Sequence, residues 1–250
     1  MKRTLYLSIF ILTICLLFSC KGKKKDITSS IDSTGKVVET EVYAVCIWDK
    51  ISLRETPTDK GKYLTSLNIG EKCTYMDESK EDKTGKKPVT YHKIQLQNKQ
   101  EGWVPSDYVI LKSRPAAFTK EADVYSRPDL LTKAGKVFSI MDIVAVKSEQ
   151  GDFTEVVGKR KTGKWIETGW VKSGNITYND IDIAAAKYGS KALLIEDKQK
   201  RNIAINEIIN NSDLKSSVFI DILSNILNDA NVSDEALKET PSGEEHVEGN

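Results

Sequence analysis

The 250-residue sequence is poor in the side chains on which most catalytic and metal sites depend. It has two histidines, His92 and His246, which lie far apart, and four cysteines. Beyond residue 20, no pair of cysteines has the spacing of a zinc motif. No glycine-rich phosphate loop occurs, and the net charge of +1 shows no basic excess of the kind that indicates nucleic-acid binding. We therefore expect no metal, no cofactor and no nucleic-acid partner.

Catalysis by a cysteine nucleophile would require a base close to the thiol. The pair considered for this role is Cys46 and His92, because His246 lies near the end of the polar tail and His92 is the one histidine in the β-rich part of the sequence. Both lie in stretches that predict strands, and neither stretch resembles a peptidase motif. The sequence therefore predicts a protein that is not an enzyme.

Long apolar runs are also scarce, and the one that occurs is at the N-terminus. Residues 5–18 are mostly apolar and follow the basic start Met1-Lys2-Arg3. This run is shorter than the ~20 residues of a transmembrane helix, and it is typical of a secretory signal.

The end of that run, Leu17-Phe18-Ser19-Cys20, resembles a bacterial lipobox of the looser spirochaete-like kind. The resemblance implies a lipoprotein signal peptide over residues 1–20, with cleavage before Cys20 and acylation of that cysteine, as by palmitate. Several acyl chains give stable membrane anchoring. The protein is then expected in a bacterial cell envelope, held to the lipid bilayer through Cys20 and either periplasmic or surface-exposed. The alternative is an ordinary cleaved signal followed by a chance cysteine.

Two segments are too polar to form a folded core. Residues 21–40 are rich in lysine, serine and threonine, which predicts a flexible tether. Residues 233–250 are polar and acidic and contain Pro241 and Gly243, which predicts a disordered tail.

Between these segments, residues 41–178 contain short alternating stretches separated by turn residues, a pattern typical of small all-β folds. Clear examples are Ile51–Arg54 and Tyr91–Leu96, a further strand is predicted at Tyr63–Leu67, and a polar loop is predicted from Asp77 to Lys87. The pattern occurs twice. Gly102-Trp103-Val104 has a counterpart in Gly169-Trp170-Val171, and Ile69-Gly70-Glu71 has one in Ile140-Met141-Asp142.

The first copy resembles the bacterial SH3 (SH3b) family. The motifs are Leu53-Arg54-x-x-Pro57, the Gly70-Glu71 turn, the alternating strand Tyr91–Leu96, and Gly102-Trp103-Val104. The resemblance implies a mainly β protein with two tandem small SH3-like barrels, over residues 41–112 and, more divergent, over residues 113–178.

The family resemblance also implies a binding groove. The stretch Val104-Pro105-Ser106-Asp107-Tyr108-Val109 resembles the part of eukaryotic SH3 domains that lines a peptide groove. Rings offer stacking area together with a polar edge. The residues expected to form an aromatic groove are Trp48, Tyr91, Trp103, Pro105 and Tyr108.

In an SH3-like barrel, Cys46 and Cys73 would lie on neighbouring strands. If the compartment is oxidising, these two residues form either a disulfide or two buried free thiols.

Residues 179–232 predict a short α-helical C-terminal segment. Apolar residues recur at helical spacing, and Asn179 or Asp180, and then Ser212 or Asp213, are suited to cap helices. The apolar stripes of these helices have two possible roles: packing on the β modules or on one another, or binding a partner protein.

Two functions follow from these expectations. The first is a membrane-anchored lipoprotein whose SH3b-type modules bind peptidoglycan peptides or another envelope ligand. The second is an assembly or host-contact lipoprotein that acts through its C-terminal helices, with the β modules as scaffold.

Overall fold

The computed structural model describes residues 29–31, 37–39, 41–161 and 163–238. The predicted signal peptide, Cys20 and the last part of the predicted tail lie outside the described residues. The chain divides into two compact units, Met1–Thr40 and Glu41–Asn250.

The first unit contains a pair of short antiparallel strands, β1 (Ser29–Ile31) and β2 (Val37–Glu39). This pair lies inside the segment that we predicted to be a flexible tether, so six positions of that segment are in strands. The sequence between the strands, Asp32-Ser33-Thr34-Gly35-Lys36, is rich in turn-forming residues, and the flanking Ile31, Val37 and Val38 favour strands.

The second unit contains two seven-stranded antiparallel sheets. The first sheet consists of β3 (Val42–Cys46), β4 (Ile51–Arg54), β5 (Tyr63–Leu67), β6 (Lys72–Asp82), β7 (Val89–Gln95), β8 (Glu101–Pro105) and β9 (Val109–Leu111). Its strand order is β5-β4-β8-β7-β6-β3-β9. The protein is thus mainly β, as predicted.

The second sheet has the same order of strands as the first. It consists of β10 (Arg114–Phe118), β11 (Ala122–Tyr125), β12 (Lys133–Phe138), β13 (Ile143–Gln150), β14 (Phe153–Lys159), β15 (Ile166–Lys172) and β16 (Ile176–Thr177). Its order is β12-β11-β15-β14-β13-β10-β16, so each strand occupies the place of the strand seven numbers before it.

Equivalent residues of the two sheets have equivalent strand partners and turn conformations. Trp103 pairs with Arg54 across β8 and β4, and Trp170 pairs with Tyr125 across β15 and β11. The turns before β6 and β13 both contain a residue in the left-handed region, Gly70 (φ 78°) and Met141 (φ 67°). The same backbone turn therefore occurs twice, once with glycine and once with methionine in the left-handed position.

The polar loop that we predicted from Asp77 to Lys87 is shorter than expected, because β6 continues to Asp82. Asp77 has a φ of 52°, and the β6–β7 register shifts between Tyr75 and Ser79. A bulge of this kind lets a strand continue through an irregular position that breaks its alternation.

Three helices follow the sheets, namely α1 (Asp180–Ala192), α2 (Lys198–Ile209) and α3 (Phe219–Lys238). Asn179 caps α1 by accepting from the backbone N–H of Ile181 at 2.8 Å. The third helix begins at Phe219, later than the predicted caps Ser212 and Asp213, and it extends to Lys238, past the predicted boundary at residue 232. Within the described part of the chain, no helix is both long enough and apolar enough to span a membrane.

The apolar faces of the helices pack on one another and on the second sheet. Their shared core includes Met141 and Ile143 of the second sheet together with Ile205, Phe219 and Leu223 of the helices. A separate small cluster joins the two sheets and consists of Val45, Ile47, Ala145 and Val157, with Ile110 and Ile166 at its edge.

Candidate functional site

The structure divides the five predicted groove residues between two places. Trp48 and Tyr108 lie together, with ring centroids 5.9 Å apart, and both are half-buried against the core of the first sheet. Tyr108 ends a short 3-10 turn, Ser106–Tyr108, that follows Pro105.

Tyr91, Trp103 and Pro105 lie on the opposite face of the sheet. Tyr91 pairs with Pro105 across β7 and β8, and Val104, between Trp103 and Pro105 in sequence, points into the core. Because strand residues alternate between faces, Trp103 and Pro105 point away from the core of the first sheet. The expectation of one continuous groove is therefore not met.

Tyr91 and Trp103 also offer little surface to a ligand. They are 4% and 5% exposed, and the Lys80 ammonium lies 4.9 Å from the centroid of the Trp103 ring. Burial raises the pKa of Tyr91. These two rings act mainly as packing for the outer face of the first sheet.

Trp48 lies where the two sheets meet. The ammonium of Lys159, on β14 of the second sheet, is 4.6 Å from the centroid of the Trp48 ring. A cation over an aromatic face is attracted by the ring quadrupole. Trp48 therefore contacts a charged residue that lies more than 100 positions later in the sequence.

Beside this contact is a cavity of about 270 Å³, which we call the junction cavity. Three parts of the chain line it: the first sheet, the second sheet and the end of α1. The lining residues are Ile47, Trp48, Asp49, Ile69, Ile140, Met141, Asp142, Ile143, Lys159, Arg160, Lys161, Ser190, Lys191, Leu193 and Leu194.

The two carboxylates in the lining have different environments. Asp49 forms an ion pair with Lys191 at 2.7 Å and accepts from the backbone N–H of Ile69. Burial alone would raise the pKa of Asp49, but these partners outweigh it and the pKa is lowered. Burial dominates at Asp142 and raises its pKa, although this carboxylate accepts from the backbone N–H groups of Ser139 and Lys161.

A second cavity, of about 510 Å³, lies on the other side of the turn at Ile69 and Gly70. It is more open and more polar, and the exposed ion pair between Lys72 and Asp180, 2.7 Å apart, forms part of its wall. It has no aromatic lining.

Cys46 and Cys73 are both free and buried. Cys73 is paired directly with Ala44, so Cys46, two residues further along β3, is its diagonal neighbour. Diagonal Cα–Cα separations of ~7–8 Å exceed the distance that a disulfide spans. Of the two alternatives, a disulfide or two buried free thiols, the structure contains the free thiols.

The thiols are also poorly suited to act as nucleophiles. Burial raises the pKa of Cys46 and of Cys73 to about 12. Cys46 Sγ donates to the Trp48 carbonyl at 3.2 Å, whereas His92 Nδ1 lies 2.7 Å from Ser79 Oγ, and burial lowers the pKa of His92. Among the described residues, no group of three or more His, Cys, Asp or Glu side chains could hold a metal ion.

Sequence reasoning missed the parts of the junction cavity that come from outside the first sheet. Lys159 belongs to a conspicuous basic string, Lys159-Arg160-Lys161, but nothing in that string indicates contact with Trp48. The end of α1, with Lys191 and Leu194, carries no sequence signal of a binding site.

No protein-family model matches the chain, and no curated protein matches it either. Among solved structures, the chain is similar to NlpC2 from Trichomonas vaginalis, with 12% identity and a TM-score of 0.24 over 62% of this chain and 54% of that one. It is also similar to NlpC1 from Trichomonas vaginalis, with 13% identity and a TM-score of 0.23 over 67% of this chain and 58% of that one. The chain therefore spans a little over half the length of these two structures, and likeness at this level does not establish a shared fold.

Proposed function

We propose that the protein is a membrane-anchored lipoprotein of the bacterial envelope, and that it binds an extracytoplasmic ligand such as a peptidoglycan peptide rather than catalysing a reaction. The observation that carries this proposal is the half-buried Trp48–Tyr108 pair: Trp48 lines a concave space that three distant parts of the chain enclose, and Tyr108 packs against the Trp48 ring. Ligand sites are commonly concave, largely apolar and supplied with a few polar groups.

We also propose that each seven-stranded sheet is an SH3b-type module. The support is the identical strand order of the two sheets and the matching turns at Gly70 and Met141. The closing strands support it as well, because Gly102 and Gly169 both lie where a Cβ atom would collide with the strand beside them.

The proposal of binding rather than catalysis rests on the chemistry of the buried thiols. A thiol with a pKa of about 12 is almost wholly protonated at neutral pH, and the thiolate is the nucleophilic form. Cys46 and His92 each have a different hydrogen-bond partner, so they form no nucleophile–base pair.

A cell-wall sedimentation assay tests the ligand proposal. The full chain is mixed with purified peptidoglycan sacculi, and we expect Tyr108→Ala to lower the bound fraction at least fivefold. Tyr63→Ala is the matched control, because Tyr63 is an exposed tyrosine of the same sheet whose hydroxyl lies 3.0 Å from Ser66 Oγ, whereas the Tyr108 ring lies against Trp48. Equal retention of wild type and Tyr108→Ala would refute binding through this pair.

The second candidate function is partner binding through the C-terminal helices. It is favoured by four apolar side chains in the described helical segment that remain more than half exposed, Tyr188, Leu194, Ile203 and Val218. Ile203→Asp tests it without disturbing the packed face. The measurement is chemical cross-linking in cells to a protein of the envelope. Loss of that cross-link in Ile203→Asp, with unchanged binding to sacculi, would favour this function over the first.

The lipid anchor is tested separately by labelling cells with radioactive palmitate. Label should enter the wild type and be absent from Cys20→Ala. Equal labelling of the two proteins would rule out acylation at Cys20.

A further inference from the structure

The junction cavity has one wall that is largely apolar. Ile69 of the first sheet, Ile140, Met141 and Ile143 of the second, and Leu193 after α1 contribute to it. Met141 and Ile143 are almost completely buried. A ligand that fills this space must therefore place an apolar group against these side chains.

The charged part of the lining has an excess of cations. It contains four cationic residues, Lys159, Arg160, Lys161 and Lys191, and two acidic ones, Asp49 and Asp142. Lys191 is paired with Asp49 and Arg160 with Glu167. Neither Lys159 nor Lys161 forms an ion pair with a described residue, and the Lys159 ammonium is held over the Trp48 ring.

The size of the cavity limits what it can hold. At about 270 Å³ it is slightly smaller than the ~300–1,000 Å³ of pockets for drug-sized ligands. It suits one apolar side chain or a short acyl chain with a small charged head, but not a folded or polymeric segment.

We propose that the junction cavity binds a small carboxylate that bears an apolar group, with the carboxylate at Lys159 and Lys161 and the apolar group against Trp48 and Ile140. This inference rests on the proposed binding function and names its ligand class. The carboxylate has two chemical sources, a free short-chain acid or the C-terminal residue of a peptide. Both present a carboxylate next to an apolar group, so the experiment must separate them.

The test uses matched acid and amide pairs in isothermal titration calorimetry with the full chain in detergent micelles. Hexanoate and hexanamide represent the free acid, and N-acetyl-leucine and N-acetyl-leucinamide represent a peptide end. Within at least one pair, we expect the acid to bind at least tenfold more tightly than the amide. Tighter binding of N-acetyl-leucine identifies a peptide end, and tighter binding of hexanoate identifies a free acid.

The double variant Lys159→Gln/Lys161→Gln should weaken binding of the acid at least tenfold and leave binding of the amide unchanged. Lys164→Gln is the control, because Lys164 is an exposed lysine of the same hairpin that does not line the cavity. If the double variant does not fold, Leu194→Glu replaces it: Leu194 is 65% exposed, and a glutamate there places a negative charge at the rim.

Equal affinity for acid and amide, no binding of either, or equal losses in the double variant and Lys164→Gln would overturn the inference. If sacculus binding still depends on Tyr108 in that case, the proposed function stands and only the ligand class fails. If the acids bind as expected while sacculus binding is independent of Tyr108, the cavity assignment stands and the peptidoglycan proposal falls.

Discussion

Asp182 joins three elements of the fold through one buried carboxylate. Its Oδ2 accepts from Thr177 Oγ at the end of β16, at 2.8 Å, and its Oδ1 accepts from Ser217 Oγ at 2.9 Å and from the Val218 backbone N–H at 3.0 Å. The residue itself is on α1 and is 4% exposed. Removal of the carboxylate would leave three donors without their acceptor, one of them buried at Ser217 and two partly buried at Thr177 and Val218. The loss of an acceptor for a buried donor is costlier than the loss of the bond alone.

We expect Asp182→Ala to lower the free energy of unfolding by about 3 kcal/mol, since hydrogen bonds to a charged group contribute more than neutral ones. Urea unfolding measures this. Asp180→Ala is the control: Asp180 precedes Asp182 by two positions, but its ion pair with Lys72 is exposed and should contribute less than ~1 kcal/mol. Similar losses in the two variants would show that the three hydrogen bonds of Asp182 add little.

The buried thiols make stability depend on alkaline pH. In the folded protein, both Cys46 and Cys73 have a pKa of about 12, whereas a thiol in the unfolded chain titrates near ~8.5. The stabilising contribution of each protonated thiol is fully present below the unfolded pKa, and it is lost progressively as pH rises towards the folded pKa.

Between pH 8 and pH 10, we expect the wild type to lose roughly 3 kcal/mol more stability than Cys46→Ala/Cys73→Ala, because two thiols lose protons on unfolding. Urea unfolding at the two pH values gives the difference. Iodoacetamide provides a second readout, since both thiols should react only after unfolding. A pH dependence that is identical in the two proteins would contradict raised thiol pKa values, and a disulfide would produce that result.

At the scale of single elements, alternation of apolar and polar residues predicted several strands well. β4 has the predicted bounds, Ile51–Arg54, because Ile51 and Leu53 are buried and the residues between and after them are only partly buried. β5 also has its predicted bounds, Tyr63–Leu67, although only Leu67 in it is buried. The extension of β6 was missed, because the bulge at Asp77 breaks the alternation. The start of α3 was missed because Asp182, far away in sequence, receives the hydrogen bonds of Ser217 and Val218.

The candidate site was predictable only in part, because some of its residues are brought together by packing between distant parts of the chain. The Trp48–Tyr108 contact lies within the first sheet, so a family resemblance could indicate both residues. The choice of Trp103 and Pro105 conflicts with strand alternation, since Val104 between them is in the core. Lys159 and Lys191 could not be predicted, because their positions depend on how the second sheet and α1 pack against the first sheet.

Gly102 shows why the closing strand of the first sheet needs glycine. A Cβ atom there would lie 2.6 Å from Leu53 Cγ and 2.8 Å from the Arg54 carbonyl oxygen, and the carbonyl cannot move without disturbing β4. We expect Gly102→Ala to destabilise the protein by about 3 kcal/mol through overpacking.

The control for this variant is Gly174→Ala, because a Cβ atom at Gly174 would meet nothing within 4 Å. Its free energy of unfolding should change by less than ~0.5 kcal/mol. Thermal or urea unfolding compares the two variants. A change at Gly102 as small as that at Gly174 would mean that β4 and β8 are more loosely packed than the structure has them.

At the scale of residues 41–238, polar contacts and apolar packing both join the first sheet to the rest. Ion pairs link it to α1, through Lys72–Asp180 and Asp49–Lys191, and the side chains of both pairs are substantially exposed. Exposed pairs of this kind contribute ~0–1 kcal/mol each. The apolar cluster of Val45, Ile47, Ala145 and Val157 is fully buried or nearly so. The apolar contact, rather than the ion pairs, should therefore hold the two sheets together.

Coupled sheets unfold together, and this gives the last prediction. Trp103 reports on the first sheet and Trp170 on the second, so two variants that each retain only one of the four tryptophans, Trp103 or Trp170, follow each sheet separately by fluorescence. In urea, we expect the two reporters to have the same midpoint in an otherwise unchanged chain. Val157→Asp places a charge in the buried cluster, where an unpaired charge is costly, and should separate the two midpoints.

The adjacent Val156→Ala distinguishes loss of coupling from simple loss of stability. Val156 is completely buried in the core of the second sheet and lies outside the cluster that joins the sheets. In a molecule whose sheets remain coupled, weakening that core lowers both midpoints by the same amount. Separate midpoints in Val157→Asp, together with a common shift of both midpoints in Val156→Ala, would locate the coupling in the apolar cluster. Separate midpoints in the unchanged chain would mean that the two sheets unfold independently. In that case the junction cavity between them is not rigidly formed.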